Sequence, residues 1–116
     1  MSAPDTKMKI AVRESGAVKI VDLEGDVGLV SSAALRKALL ELLRQAPKLA
    51  INLQALRYID SSGIATFVEL YREALRQQKQ FVLFGLSPMV EEVFRLTHVN
   101  RIFQIFDNEE EAVAAA

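Results

Sequence analysis

The spacing of hydrophobic positions changes along the chain between every second residue and every third or fourth residue. Alternation over residues 8–12 and 17–25, on either side of the turn-forming residues 14–16, predicts a β-hairpin. The expected core contacts of its second strand are Val18, Ile20 and Leu23. Because longer helical periods follow this hairpin, the pattern indicates a mixed α/β domain.

Two later segments, residues 48–53 and 80–86, are short and almost continuously apolar. Such runs are typical of strands that are buried on both faces of a sheet. The first of these strands is expected to continue to Tyr58 or Ile59, where a helix takes over. A last short strand is predicted at residues 101–106.

Helical periods fill the stretches between the strands. The first helix is expected to begin at Ser31 or Ser32, whose hydroxyl would cap it, and to stop at Pro47. Its apolar positions follow the helical spacing and are Leu35, Ala38, Leu39 and Leu42. A second helix should start near Ser62, with its apolar face formed by Ile64, Phe67, Val68, Tyr71 and Leu75.

Two more helices are marked by their first residues. Ser87 followed by Pro88 is a strong start signal for a third helix that reaches about Leu96. Asp107 or Asn108 can cap a last helix that carries three glutamates in its first turn. The predicted order is β-β-α-β-α-β-α-β-α: a single α/β domain over residues 1–116, with a mixed central sheet of about five strands packed with four helices. The chain ends, residues 1–7 and 113–116, are expected to be flexible.

Composition narrows the classes of function. The 116 residues carry a net charge of −1, which gives no electrostatic basis for nucleic acid binding. No cysteine is present and His98 is the only histidine, so zinc sites of the usual kinds are not expected. The chain shows no signal-peptide pattern and no apolar run of the roughly 20 residues that span a bilayer. A cytoplasmic protein without direct membrane insertion is expected.

The junction between the first buried strand and the second helix, "DSSG" at residues 60–63, contains more polar and small residues than a helix start requires. One side-chain oxygen, from Asp60, Ser61 or Ser62, is enough to cap the helix, and Gly63 would ease the turn. A neighbouring hydroxyl then remains unexplained. A serine at this place is accessible to another enzyme, and phosphorylation would add a charge of roughly −1.5 to −2 to any binding surface centred there.

The same residues also resemble a known family. Residues 51–74, "INLQALRYIDSSGIATFVELYREA", resemble the signature of STAS domains, specifically of stand-alone anti-sigma factor antagonists. The residues that match this signature are Ile51, Asn52, Leu53, Asp60, Ser61, Ser62, Gly63, Ile64 and Ala65. The likeness extends to "VDLEGDV" at residues 21–27 and to residues 83–112.

The resemblance implies a protein that switches partners. An unphosphorylated antagonist of this family binds an anti-sigma factor that is also a serine kinase, and so releases a sigma factor. The kinase then phosphorylates the serine that follows the aspartate, and a PP2C-type phosphatase reverses the modification. In this chain that serine is Ser61, with Ser62 as its neighbour or as the helix cap. Asp60 would orient the hydroxyl or shape the surface shown to the kinase, and Gly63 would keep the turn open.

One departure from the family concerns the segment after the second strand. The family often carries glycine, an acid, an aliphatic residue and aspartate there, in a loop that faces the partner. This chain has Gly25, Asp26, Val27 and Gly28, so the first acid is kept and the second is replaced by glycine. Asp26 and Gly28 are therefore expected at the partner-binding surface, and the change at Gly28 bears on which partner is bound.

Other functions have less support in the sequence. Asp60, Ser61 and His98 do not form a hydrolase motif, because no G-x-S-x-G elbow occurs, and no phosphate-binding P-loop is present. The acids at 109–111 are typical of a helix start rather than of a metal site. A binding module without a cofactor, not an enzyme, is predicted. The alternative is the STAS subunit of a phospholipid-transport ABC system, which binds its ATPase without phosphorylation; such relatives tend to carry Asp-Thr-Ala-Gly at the turn.

Overall fold

In the computed structural model, residues 8–115 are described, and they form the predicted succession of strands and helices. The elements are β1 Lys9–Ser15, β2 Val18–Val27, α1 Ser32–Gln45, β3 Lys48–Ile59, α2 Ser61–Arg76, β4 Gln80–Phe84, α3 Pro88–Leu96, β5 Gln104–Phe106 and α4 Glu109–Ala114. The expectation of flexible chain ends falls partly on residues 1–7 and 116, which lie outside the described residues. Of the remaining residues, Val113 and Ala114 belong to α4 and residue 115 follows it directly.

The five strands form one sheet in the order β1-β2-β3-β4-β5. β1 is antiparallel to β2, whereas β2, β3, β4 and β5 are parallel to one another. β2 and β3 are the longest strands, with 10 and 12 residues, and they end side by side where Val27 pairs with Ile59. The connections β2–α1 and β3–α2 therefore leave the sheet at the same edge, next to each other.

Apolar side chains fill both faces of the sheet. One face packs against α1, α2 and α3 in a large core cluster of aliphatic side chains and four buried phenylalanine rings. Its fully buried members include Leu35, Leu39, Ile51, Phe67, Leu83 and Phe94. On the opposite face a smaller cluster contains Val18, Ile20, Ala50, Val82, Phe84 and, from α4, Ala112. The prediction of two strands buried on both faces is confirmed, except that the second strand ends at Phe84 and not at Leu86.

Polar contacts hold α4 at both of its ends. The Arg13 guanidinium donates to Glu109 at the start of the helix, at 2.9 Å, and also binds Asp22 on β2. Hydrogen bonding to Arg13 lowers the pKa of the Asp22 carboxyl below its usual value. At the other end the buried Lys48 ammonium donates to the carbonyls of Val113 at 3.2 Å and of residue 115 at 2.7 Å. These contacts fix the only described element on that face of the sheet.

Three local predictions were wrong, each for a tertiary reason. The last strand is confined to residues 104–106, because Val99–Arg101 forms a 3₁₀ turn after His98, whose φ is +64°. Leu75 is 60% exposed, since Leu70 and Ala74 take the buried positions of the last turns of α2. Leu42, which was predicted on the apolar face of α1, is only partly buried, and its neighbour Leu43 is buried instead.

Candidate functional site

The sequence-predicted residues converge at the edge of the sheet where β2 and β3 end. We call residues 60–63 the Asp60 turn and residues 28–31 the β2–α1 loop. The Asp60 backbone N–H donates to the Val27 carbonyl at 3.2 Å, which ties the start of the turn to the last residue of β2. The carboxyl ends of parallel strands are the usual place for binding sites in open α/β sheets.

Asp60 is the N-cap of α2. Its backbone is extended, and its Oδ1 atom accepts hydrogen bonds from the backbone N–H groups of Ser62 at 2.9 Å and Gly63 at 3.4 Å. The prediction that the Ser62 hydroxyl could be the cap is therefore wrong. The second carboxylate oxygen, Oδ2, accepts no hydrogen bond from residues 8–115. Asp60 can thus cap the helix and still offer one oxygen to a partner.

The two serines differ in accessibility. Ser61 is the first residue of α2 and is exposed, whereas Ser62 is half-buried and its carbonyl accepts from the Thr66 hydroxyl at 3.1 Å. Within the described part of the chain, neither serine hydroxyl has a hydrogen-bonding partner. Ser61 therefore presents its hydroxyl outward. Because Asp60 already accepts from the N–H groups of Ser62 and Gly63, a negative charge added at Ser61 would compete with Asp60 for these donors.

Gly63 is buried under the turn. A Cβ atom at this position would lie 2.7 Å from Ile59 Cγ1 and 2.8 Å from Val27 Cγ1, distances that real Cβ atoms do not tolerate. The absence of a side chain lets the first turn of α2 pack directly on the ends of β2 and β3. Gly63 therefore shapes the site from below and is itself withdrawn from the surface.

Gly28 begins the β2–α1 loop and lies against the Asp60 turn. A Cβ atom there would be 3.0 Å from Asp60 Oδ2 and 3.6 Å from Tyr58 Cε2. The structure thus brings Gly28 and Asp60 together, although 32 positions separate them in the sequence. Asp26, the other predicted residue of this segment, is half-buried and lies on β2 opposite Tyr58.

Serine hydroxyls and a buried threonine fix the loop and the turn as one unit. Ser31 Oγ accepts from the Gly28 N–H at 3.1 Å and donates to the Asp26 carbonyl at 3.1 Å, so it closes the loop. It makes no capping hydrogen bond to α1, contrary to the prediction. The Thr66 hydroxyl, 3.1 Å from the Ser62 carbonyl, is also 3.5 Å from the Ser32 carbonyl and so links the first turns of α1 and α2.

Sequence reasoning missed three exposed apolar side chains around this unit. Leu29 is 80% exposed, Val30 is 95% exposed and Tyr58 is 46% exposed. A signal for the first two was available, because two aliphatic residues in a loop between a strand and a helix have no place in either apolar pattern. The site therefore combines one outward hydroxyl, one carboxylate oxygen and a neighbouring apolar surface, which is an arrangement suited to binding a protein.

Residues 8–115 contain no group of three or more histidine, cysteine or acidic side chains that could hold a metal ion. None of the described helices is long and apolar enough to cross a membrane. His98, considered for a hydrolase triad, is exposed in the turn after α3.

Two substitutions at Asp60 test its role as the N-cap of α2. Asp60→Ala is expected to lower the free energy of unfolding by about 1 kcal/mol, because the N–H groups of the first turn lose their acceptor. Asp60→Asn keeps a capping oxygen and should stay within a few tenths of a kcal/mol of the parent protein. Chemical denaturation followed by circular dichroism measures both. Equal stability losses in the two variants would contradict the capping role.

The chain is similar to known proteins over most of its length. The family model described as "STAS domain" matches residues 9–112. An anti-sigma-B factor antagonist from Listeria monocytogenes is 27% identical over 99 residues, which cover 84% of this chain and 86% of that protein.

Solved structures share the fold. An anti-sigma factor antagonist from Mycobacterium paratuberculosis is similar with a TM-score of 0.85 at 24% identity, over 97% of this chain and 96% of that one. The Bacillus cell fate determinant SpoIIAA in its phosphorylated form is similar with a TM-score of 0.69 at 20% identity, over 90% of this chain and 96% of that one. The predicted fold is confirmed, and since the family model spans nearly all of the described residues, the chain belongs to the STAS domain family.

Proposed function

We propose that this protein is an anti-sigma factor antagonist, whose unphosphorylated form binds an anti-sigma factor in the cytoplasm and thereby releases a sigma factor. The observation that carries the proposal is the outward Ser61 hydroxyl, at the first residue of α2 and directly after the capping Asp60. The names of relatives similar over most of the chain support the same function.

Phosphorylation of Ser61 is the proposed off-switch. The anti-sigma factor would itself be the serine kinase, and a PP2C-type phosphatase would remove the phosphoryl group. The modification adds roughly −1.5 to −2 charges beside the Asp60 carboxylate. Because Asp60 already accepts from the N–H groups of Ser62 and Gly63, the new charge stays at the surface and opposes rebinding of the same partner. The fold can remain intact, since Ser61 makes no contact on which the core depends.

The proposed role is binding, without catalysis and without a cofactor. The partner would cover the Asp60 turn together with the β2–α1 loop, because hydrogen bonds hold the two segments as one unit. Asp26, Gly28, Asp60, Ser62 and Gly63 are proposed to form or support this surface.

The test is to map phosphate on the protein isolated from its native host, by intact mass and peptide sequencing, with and without phosphatase treatment. We expect one phosphoryl group on Ser61, and no modification in Ser61→Ala. Phosphate on Ser62 in both proteins would move the acceptor by one residue.

Co-purification from the same cells provides a second readout. An anti-sigma factor with a kinase domain is expected with the unphosphorylated form. Complete absence of phosphate across growth and stress conditions, with an ABC-transporter ATPase as the co-purified partner, would contradict the proposal and favour the transport-subunit alternative.

A further inference from the structure

The tip of the β2–α1 loop exposes two aliphatic side chains side by side. Leu29 and Val30 are 80% and 95% exposed, more than any other large hydrophobic residue in the described part of the chain. Single exposed apolar residues are common on protein surfaces, but an adjacent pair at a loop tip is a stronger indication of an interaction site. The loop is not free to bury them, because Ser31 Oγ bonds to both the Gly28 N–H and the Asp26 carbonyl.

A third apolar group lies on the other side of Gly28. Tyr58 is 46% exposed, and its Cε2 atom is 3.6 Å from the position that a Gly28 Cβ would occupy. Since glycine has no side chain, nothing at position 28 separates the tyrosine ring from the loop. Aromatic residues of this kind frequently dominate the binding energy of protein interfaces. Leu29 and Val30 come next after Gly28 in the chain. Together with Tyr58 they therefore flank one point of the surface.

The same point adjoins the proposed switch. The Gly28 Cβ position is also 3.0 Å from Asp60 Oδ2, and Asp60 is followed by Ser61. A partner that covers the Ser61 hydroxyl must therefore also meet the loop. An interface of standard size buries about 800 Å² per partner, much more than one serine and one aspartate provide.

We infer that Leu29, Val30 and Tyr58 form an apolar anchor, which inserts into an apolar pocket of the anti-sigma factor next to Ser61. This inference rests on the proposed function and adds the source of affinity to it. The apolar anchor supplies the binding affinity, and the phosphorylation state of the Ser61 hydroxyl determines whether the complex forms. A phosphate on Ser61 acts on the anchor by placing a solvated double charge at the rim of a surface that must lose its water to bind.

The first test is photocrosslinking in the native host, with benzoylphenylalanine placed at position 30 or position 58 of the full chain. Leu75 and Leu96 are the matched control positions, because they are 60% and 63% exposed and lie at the ends of α2 and α3 away from the Asp60 turn. We expect adducts from positions 30 and 58 to an anti-sigma factor with a kinase domain, none from the controls, and loss of the adducts when Ser61→Asp is added.

Several results would overturn the inference. Adducts to a second copy of this chain would make the anchor a dimer contact. Adducts that persist with Ser61→Asp, or that form equally from the control positions, would remove its link to the switch. Phosphate on Ser61 together with a co-purified anti-sigma factor, but no adduct from position 30 or 58, would refute the anchor alone. Absence of the phosphate and of the anti-sigma factor would refute the proposed function together with the anchor.

Affinity gives a quantitative readout with the purified anti-sigma factor. Leu29→Ser and Val30→Ser are each expected to raise the dissociation constant about tenfold, which corresponds to about 1.4 kcal/mol. Leu96→Ser should leave it unchanged, and all three proteins should unfold at the same temperature as the parent. Parent-like affinity in the Leu29→Ser, Val30→Ser double variant would exclude the anchor.

Discussion

Ile51→Asp is expected to abolish the folded state. Ile51 lies fully buried in the middle of β3, between Val21 on β2 and Leu83 on β4. A carboxyl group at this place has no cation beside it in the core cluster. The cost of burying it without a partner, added to the packing lost with Ile51, is comparable to the 5–15 kcal/mol by which typical domains are stable. Circular dichroism should show loss of native signal, and thermal scans should lack a cooperative transition.

Ala55→Asp is the matched control, because Ala55 belongs to the same strand but is exposed. We expect this variant to fold and to melt within a few degrees of the parent protein. Leu83→Asp, at the neighbouring buried position of β4, should unfold as Ile51→Asp does. A folded Ile51→Asp protein with a normal melting temperature would contradict the central position of β3.

The succession of elements could be predicted because each strand and helix has a recognisable pattern in its own residues. The apolar run from Lys48 to Leu53 has the composition of a doubly buried strand, and Ser87 with Pro88 marks the start of α3 as observed. The predictions that were wrong concern conformations that depend on residues distant in the sequence. Nothing local shows that residues 99–101 form a 3₁₀ turn, since their conformation follows from how the chain passes from α3 to β5.

The site was predictable in its residues but not in its contacts. The motif at residues 60–63 stands out in the sequence, yet four adjacent polar or small residues offer several equivalent caps. Only the extended backbone of Asp60 decides that its carboxylate, and not a serine hydroxyl, faces the N–H groups of α2. The proximity of Gly28 to Asp60 follows from the pairing of β2 with β3. The periodicity of the sequence does not show which strands pair.

This arrangement would let the proposed switch act without a change of fold. The contacts that hold the turn, from Asp60 to the backbone and from Gly63 to the strand ends, point inward. The groups proposed to meet the partner, at Leu29, Val30 and Ser61, point outward. Asp60 belongs to both groups, but Leu29, Val30 and Ser61 make none of the inward contacts, so we expect a modification at Ser61 to leave the core folded.

Ser61→Asp is therefore expected to weaken binding to the anti-sigma factor at least a hundredfold while the protein stays folded. The substitution puts a charge at the first residue of α2, beside the Asp60 carboxylate, whose Oδ1 atom already accepts from the N–H groups of Ser62 and Gly63. A second negative charge beside Asp60 loses water without gaining a cation when the partner covers Ser61, and a hundredfold loss of affinity corresponds to about 2.7 kcal/mol. Titration calorimetry with the anti-sigma factor isolated from the native host measures the affinity, and a thermal scan measures the fold.

Two variants separate the position of the charge from its mere presence. Ser15→Asp adds the same charge to an exposed serine at the end of β1, which pairs with the first residue of β2 and so lies at the opposite end of that strand from the Asp60 turn. It should bind as the parent does. Ser61→Ala should also bind, because the hydroxyl itself is small and makes no hydrogen bond in the described residues, but it should no longer be inactivated by ATP and the kinase. If Ser61→Asp binds with parental affinity while remaining folded, charge at this residue is not the switch, and inactivation of Ser61→Ala by ATP would place the acceptor elsewhere on the chain.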